Sequence, residues 1–155
     1  MPALYVYTSS LVKRYIGEVG TIWVRRALAR PVRQGIYTAL LAQTEVLSAL
    51  QRKVREGMLA ATEAQRLARR VQRHFARRYR LVAITPARVT HANALVQAHP
   101  LRAYDALHLA CALVVRETLQ PYGLPAPVFV TADDTLLAAA RAEGVPVDNP
   151  LQHPP

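Results

Sequence analysis

The sequence predicts an α/β domain, a three-layer α/β/α arrangement around a central parallel sheet, and three observations lead there. Short runs rich in β-formers alternate with longer helical runs along the whole chain, a pattern that lays helices over both faces of parallel strands. The opening run ALYVY passes straight into Thr8-Ser9-Ser10, a helix-start signal, so the first unit is strand, cap, helix. With 155 residues, 52% of them hydrophobic, the chain has no internal repeat and no dividing linker; one core is expected over residues 1–150, with 151–155 as a tail.

Each element follows from local signals. Residues 3–7 read as the first strand, and a helix over residues 21–29 buries Ile22, Trp23 and Leu28 before Pro31 ends it. A short strand over 35–37 leads into two long helices. The first, 39–56, sets Leu41, Val46, Leu50 and Val54 on one side and stops at Gly57. The second, 61–78, repeats Leu67, Val71 and Phe75 at four-residue spacing, with Arg66, Arg69, Arg70, Arg73 and Arg77 around the rest. Residues 81–84 read as a third strand, 86–98 as a helix, and Pro100 as the stop before a nearly all-apolar helix over 102–119, which must be central. After a Pro-rich turn, 128–130 is a strand, 132–143 a helix closed by Gly144, and 145–147 a last short strand.

The formal charge is +10, almost all of it arginine, and the pI is near 10.6. Such a charge implies a polyanion or an acidic partner. Cys111 is the lone cysteine, so an internal disulfide framework is excluded and Cys111 reads as packing; a reducing compartment, the cytoplasm, is expected. No run reaches the roughly 18 apolar residues of a membrane span, and the first residues lack the features of a signal peptide. No membrane association is expected.

Three acids stand where solvent is not expected. Asp105 lies one turn from Leu101 and from Leu109 on the most apolar helix, and Glu45 is flanked at the same distance by Leu41 and Ala49. Asp133 follows the strand over 128–130, at the carboxyl end where open α/β sheets bind ligands. A buried carboxylate costs several kcal/mol in effective terms unless a cation or strong donors meet it. Convergent carboxylates suit Mg²⁺ or Mn²⁺, which polarise a phosphoryl oxygen and orient a water. Each acid also has a plainer reading: Asp133 as a helix N-cap, Asp105 paired with Arg102, Glu45 with an arginine of the neighbouring helix. Asp134 is an exposed first-turn acid or an extra ligand. His108 reads as a hydrogen-bonded core histidine.

Taken together, the segments resemble the PIN-domain ribonucleases, and most closely the VapC-type toxins of toxin–antitoxin pairs. The opening LYVYTSSLVKRYIGEVG resembles that family's first motif, TEVLSAL places Glu45 at its second acid, LRAYDALHLACAL places Asp105 at its third, and FVTADDTLLAAARAEGVPVDNP places Asp133 at its fourth. The resemblance implies a site in which Glu45, Asp105 and Asp133 bind Mg²⁺ or Mn²⁺ and hydrolyse RNA, a homodimer, and a small antitoxin that blocks the site. One departure stands out. Where the family has Asp before Thr-Ser, this chain has Tyr7, and a neutral phenol is a poor ligand for a hard cation at pH 7.

The expectation is therefore a metal-dependent endoribonuclease, weakened or silenced at Tyr7, with Lys13, Arg14 and the arginines of helix 61–78 as candidate RNA contacts. The alternative is a catalytically silent module that binds an antitoxin or RNA. A DNA-binding protein is a more distant rival, with no helix-turn-helix or zinc-finger pattern to support it.

Overall fold

A computed structural model describes residues 2–154. Five strands, all parallel, form one sheet: β1 (Leu4–Val6), β2 (Ile36–Ala39), β3 (Tyr79–Val82), β4 (Val128–Val130) and β5 (Val147–Asp148), in the order β3-β2-β1-β4-β5. The helices are α1 (Thr8–Tyr15), α2 (Thr21–Ala29), α3 (Ala42–Arg55), α4 (Ala61–Arg77), α5 (Pro86–Ala98), α6 (Ala103–Leu119) and α7 (Asp134–Ala142). The alternation of side chains along each strand sorts them into two cores. Leu4, Val6, Ile36 and Val130 meet α1 to α4 on one face; Tyr5, Ala39 and Phe129 meet α5 to α7 on the other.

The order of strands explains the division. The chain adds β2 and β3 on one side of β1, then returns to add β4 and β5 on the other. Crossovers between parallel strands are right-handed, so reversing the direction of addition sends the later helices to the opposite face. The reversal leaves a crevice above the carboxyl ends of β1 and β4, the topological switch point at which such sheets bind ligands. The three-layer α/β/α expectation is met. Helix α6 is central as its composition requires: residues 109–113 are all at most 1% exposed.

Element boundaries shift by a few residues, for visible reasons. Strand β2 runs on to Ala39, which pairs with Val82, so the following helix begins at Ala42 rather than at 39. The same ladder fixes β3 at Tyr79–Val82 rather than 81–84, because Ile36 is in register with Tyr79. Val145 belongs to the helix stop and not to the last strand. Its N–H donates to the Ala140 carbonyl (2.9 Å) beyond Gly144, whose φ of +76° makes the left-handed turn.

Near the end of the described chain, residues 150–152 form a short 3₁₀ turn, and the His153 ring stacks on Trp23 of α2 at 4.3 Å between centroids and 4° between planes. Among the described residues no helix is long and apolar enough to cross a membrane. Cys111 is fully buried, and burial pushes its thiol up to about 11. The folded protein is accordingly expected to resist a thiol reagent at pH 8 and to take up one equivalent only after denaturation, as a colorimetric titration would show.

Candidate active site

Four helix starts point into the crevice. Tyr7 leaves β1 with its N–H on the Val130 carbonyl (3.0 Å) and is the N-cap of α1, its own carbonyl accepting from Ser10 and Leu11 N–H groups. Glu45 sits in the first turn of α3, Asp105 in the first turn of α6, and Asp133 is the N-cap of α7. Unpaired N–H groups and the helix dipole favour negative charge at each of these positions by roughly 0.3–1 kcal/mol. Glu45, Asp105, Asp133 and Tyr7 line a single cavity of about 470 Å³, together with Arg102 and Tyr104.

Each carboxylate is held by its own partner. Asp105 Oδ1 accepts a 2.5 Å hydrogen bond from the Tyr7 hydroxyl. Glu45 Oε1 lies 2.9 Å from Nε2 of His108, and Asp133 Oδ1 accepts from the Leu136 N–H at 2.7 Å, capping α7. His108 has no exposure and serves as a hub: its Nδ1 is 3.0 Å from the Tyr5 hydroxyl, its Nε2 3.2 Å from the Thr8 hydroxyl. Burial raises the Tyr5 phenol well above its ordinary range, so it keeps its proton at neutral pH. One imidazole thus joins the Tyr5 and Thr8 hydroxyls to the Glu45 carboxylate.

Tyr7 is the centre of the electrostatics. Burial raises its phenol pKa most, and the hydrogen bond to Asp105 and the charges of Asp105, Glu45 and Asp133 raise it further. At neutral pH it is a hydrogen-bond donor and not a phenolate. All three carboxylates share one cavity with this hydroxyl. Carboxylate oxygens are the right donor class for Mg²⁺ or Mn²⁺. Among the described residues, however, no three Asp, Glu, His or Cys side chains are grouped closely enough to hold an ion together. The residues present do not fit a preformed metal cage, because the phenol stands among the acids and occupies an Asp105 oxygen.

Several expectations are corrected by this geometry. Asp105 pairs with Tyr7 rather than Arg102, and Glu45 with His108 rather than an arginine. Asp134, the extra-ligand candidate, is exposed and does not line the cavity, since one step along α7 turns its side chain away from Asp133. Lys13 and Arg14 are at most 8% exposed; Lys13 meets Glu18 and Arg14 the Tyr79 hydroxyl, so neither borders the acids. His108 and Cys111 are the core residues their surroundings suggested.

One residue of the site escaped sequence reasoning. Tyr104, 60% exposed, also lines an adjoining cavity of about 570 Å³ that shares Tyr7 and Glu45 and runs to Arg52. Its only signal was adjacency to Asp105 on an exposed first turn. For Asp133 the capping role can be isolated. Asp133→Ala is expected to cost about 1 kcal/mol and Asp133→Asn only a few tenths, because Asn caps equally well; urea denaturation of both variants checks it.

The description of a known family matches this chain: the PIN domain, over residues 4–144. A curated protein named Ribonuclease VapC45, from Mycobacterium tuberculosis, is 35% identical over 147 residues that cover 93% of each chain. Among solved structures, a toxin–antitoxin complex from Klebsiella pneumoniae superposes with a TM-score of 0.60 at 19% identity, covering 95% of this chain and 97% of that one. FitAcB from Neisseria gonorrhoeae gives a TM-score of 0.63 at 13% identity over 97% of this chain and 99% of that one.

Proposed function

Because this chain belongs to the PIN-domain family, we propose that it is a ribonuclease-type toxin of a toxin–antitoxin pair whose hydrolytic centre is Glu45, Asp105 and Asp133, weakened by Tyr7. The observation that carries this reading is the shared cavity: three acids from three different helices and Tyr7 line one space at the switch point of the sheet. A 35% identical ribonuclease over nearly the full length supports RNA as the substrate class. The likeness to a toxin–antitoxin complex supports a small antitoxin as partner.

Mg²⁺ or Mn²⁺ belongs to the proposal for the centre with an acid at position 7, where it would supply charge neutralisation at the scissile phosphate. In the chain as it stands, three contacts set the positions of the acids. Tyr7 donates to Asp105, His108 orients Glu45, and the Leu136 N–H fixes Asp133. Tyr104 offers an aromatic face at the mouth of the cleft, suited to stacking an unpaired base. The proposal includes a homodimer acting in the cytoplasm, where sedimentation of the purified protein tests the dimer. The Tyr7–Asp105 bond favours one second reading, a silent module that retains capture of RNA or antitoxin. Cleavage of RNA by this chain and by Tyr7→Asp, with and without Mn²⁺, decides between the two.

A further inference from the structure

At the other end of the sheet lies a second cavity, of about 330 Å³, lined by Arg30, Arg77, Arg78 and Arg80 with Pro31, Val32, Gly35 and Ile36. Ile36 begins β2 and Gly35 immediately precedes it, and Arg77 and Arg78 immediately precede β3. These are the amino ends of parallel strands, so the cavity faces away from the acids. No carboxylate lines it, and none of the ion pairs among the described residues involves its arginines.

Two of the four guanidinium groups are positioned by neutral partners. Arg78 Nη2 donates to the Leu28 and Ala29 carbonyls at the end of α2, at 3.1 and 3.3 Å. Arg80 Nη1 donates to the Tyr37 hydroxyl (3.1 Å), and its guanidinium lies 5.6 Å from the centre of the Tyr37 ring. The Arg80 stem crosses the bare backbone of Gly35, where an added Cβ would come within 2.8 Å of Nε. Gly35, at φ +99°, is required for its turn, and its lack of a side chain leaves room for this passage. Fixed cations with uncompensated charge are the arrangement that binds a phosphate oxygen pair.

The surroundings reinforce the charge. Arg14, 5% exposed, has a phenol and no carboxylate as its recorded side-chain partner. His74 beside it is pushed down to about 4, by burial first and then by Arg14, Arg70, Arg78 and Arg73.

We propose that the cavity of Arg30, Arg77, Arg78 and Arg80 is a binding site for the phosphodiester backbone of RNA, separate from the cleft that holds the acids. A strand or folded RNA held there would present a distant part of itself to the cleft, giving the domain purchase on its substrate independent of the reacting bond. The choice of RNA as the polyanion rests on the ribonuclease reading; the site itself does not.

The test compares Arg77→Gln/Arg80→Gln with the control Arg55→Gln/Arg141→Gln, which removes two exposed arginines elsewhere. Binding of a fluorescent single-stranded RNA is followed by anisotropy as salt is varied, all chains carrying Glu45→Gln to prevent cleavage, with melting curves confirming the fold. The cavity pair is expected to weaken binding by about 10-fold and to lower the log–log salt slope by about 1.4, at ~0.7 per single-strand phosphate contact. Inorganic pyrophosphate should compete with RNA on the unaltered cavity and not on the cavity pair. Equal losses in the two double variants, no RNA binding, or binding of an acidic peptide in preference to RNA would overturn the proposal. Cleavage by Tyr7→Asp, measured separately, reports on the acid cleft alone, so the two ideas can fail independently.

Discussion

Tyr7→Asp is expected to raise Mn²⁺- or Mg²⁺-dependent RNA cleavage by on the order of 100-fold or more. Loss of even an outer partner of a metal site typically costs roughly 10–100-fold, and position 7 lies among the acids themselves. The substitution removes the phenol, frees Asp105 Oδ1 from its 2.5 Å hydrogen bond, and adds a fourth carboxylate at the N-cap of α1. Asp is also a better cap than Tyr. Four carboxylates facing one cavity repel one another unless a cation joins them. The melting temperature of Tyr7→Asp should therefore rise with Mn²⁺, by about 2.7 kcal/mol of added stability at 100 times the dissociation constant, while that of the unaltered chain stays flat. Adding Glu45→Gln to Tyr7→Asp should abolish the cleavage. A reverted protein that neither cleaves nor gains stability with metal would remove the nuclease proposal.

His108→Ala is expected to be the most damaging single change to stability, about 3 kcal/mol or more. The imidazole is fully buried and serves Tyr5, Thr8 and Glu45 at once. Truncation leaves a cavity against α6 and takes the imidazole partner from a buried phenol, each effect costing roughly 1–3 kcal/mol. In a domain of this size about 3 kcal/mol corresponds to ~6–12 °C in melting temperature. Differential scanning calorimetry measures it directly. A shift of only a degree or two would mean that water or a neighbour replaces the ring, and that the hub is less cooperative than its geometry indicates.

The architecture was legible because its signals are local. Strand, cap and helix at residues 4–15, the punctuation at Gly57 and Gly144, and the apolar run of α6 are properties of neighbouring residues. The three acids were legible for related reasons: Glu45 and Asp105 are charges on stretches that otherwise ask for burial, and Asp133, which the structure leaves exposed, follows the carboxyl end of a strand. What sequence reasoning could not supply was partner choice. Whether Asp105 meets Arg102 or Tyr7, 98 residues away, depends on how β1 and α6 meet in space. Gly35 shows the same limit in part: its φ of +99° belongs to its own turn, but the Arg80 stem that packs over it comes from a position distant in sequence. Tyr104 looked like an ordinary surface residue until two cavities were seen to share it.

The stacked pair of Trp23 and His153 bears on how ligand binding can be watched. The chain has one tryptophan, and its indole lies flat against an imidazole that also meets Asp148 at 2.6 Å. Neither ring borders the acids or the arginine cavity. Intrinsic emission is thus a gauge of how the last turn rests on α2. An RNA titration followed at the indole wavelength would register silence even at saturation, and a dye placed near Tyr104 is the appropriate sensor instead.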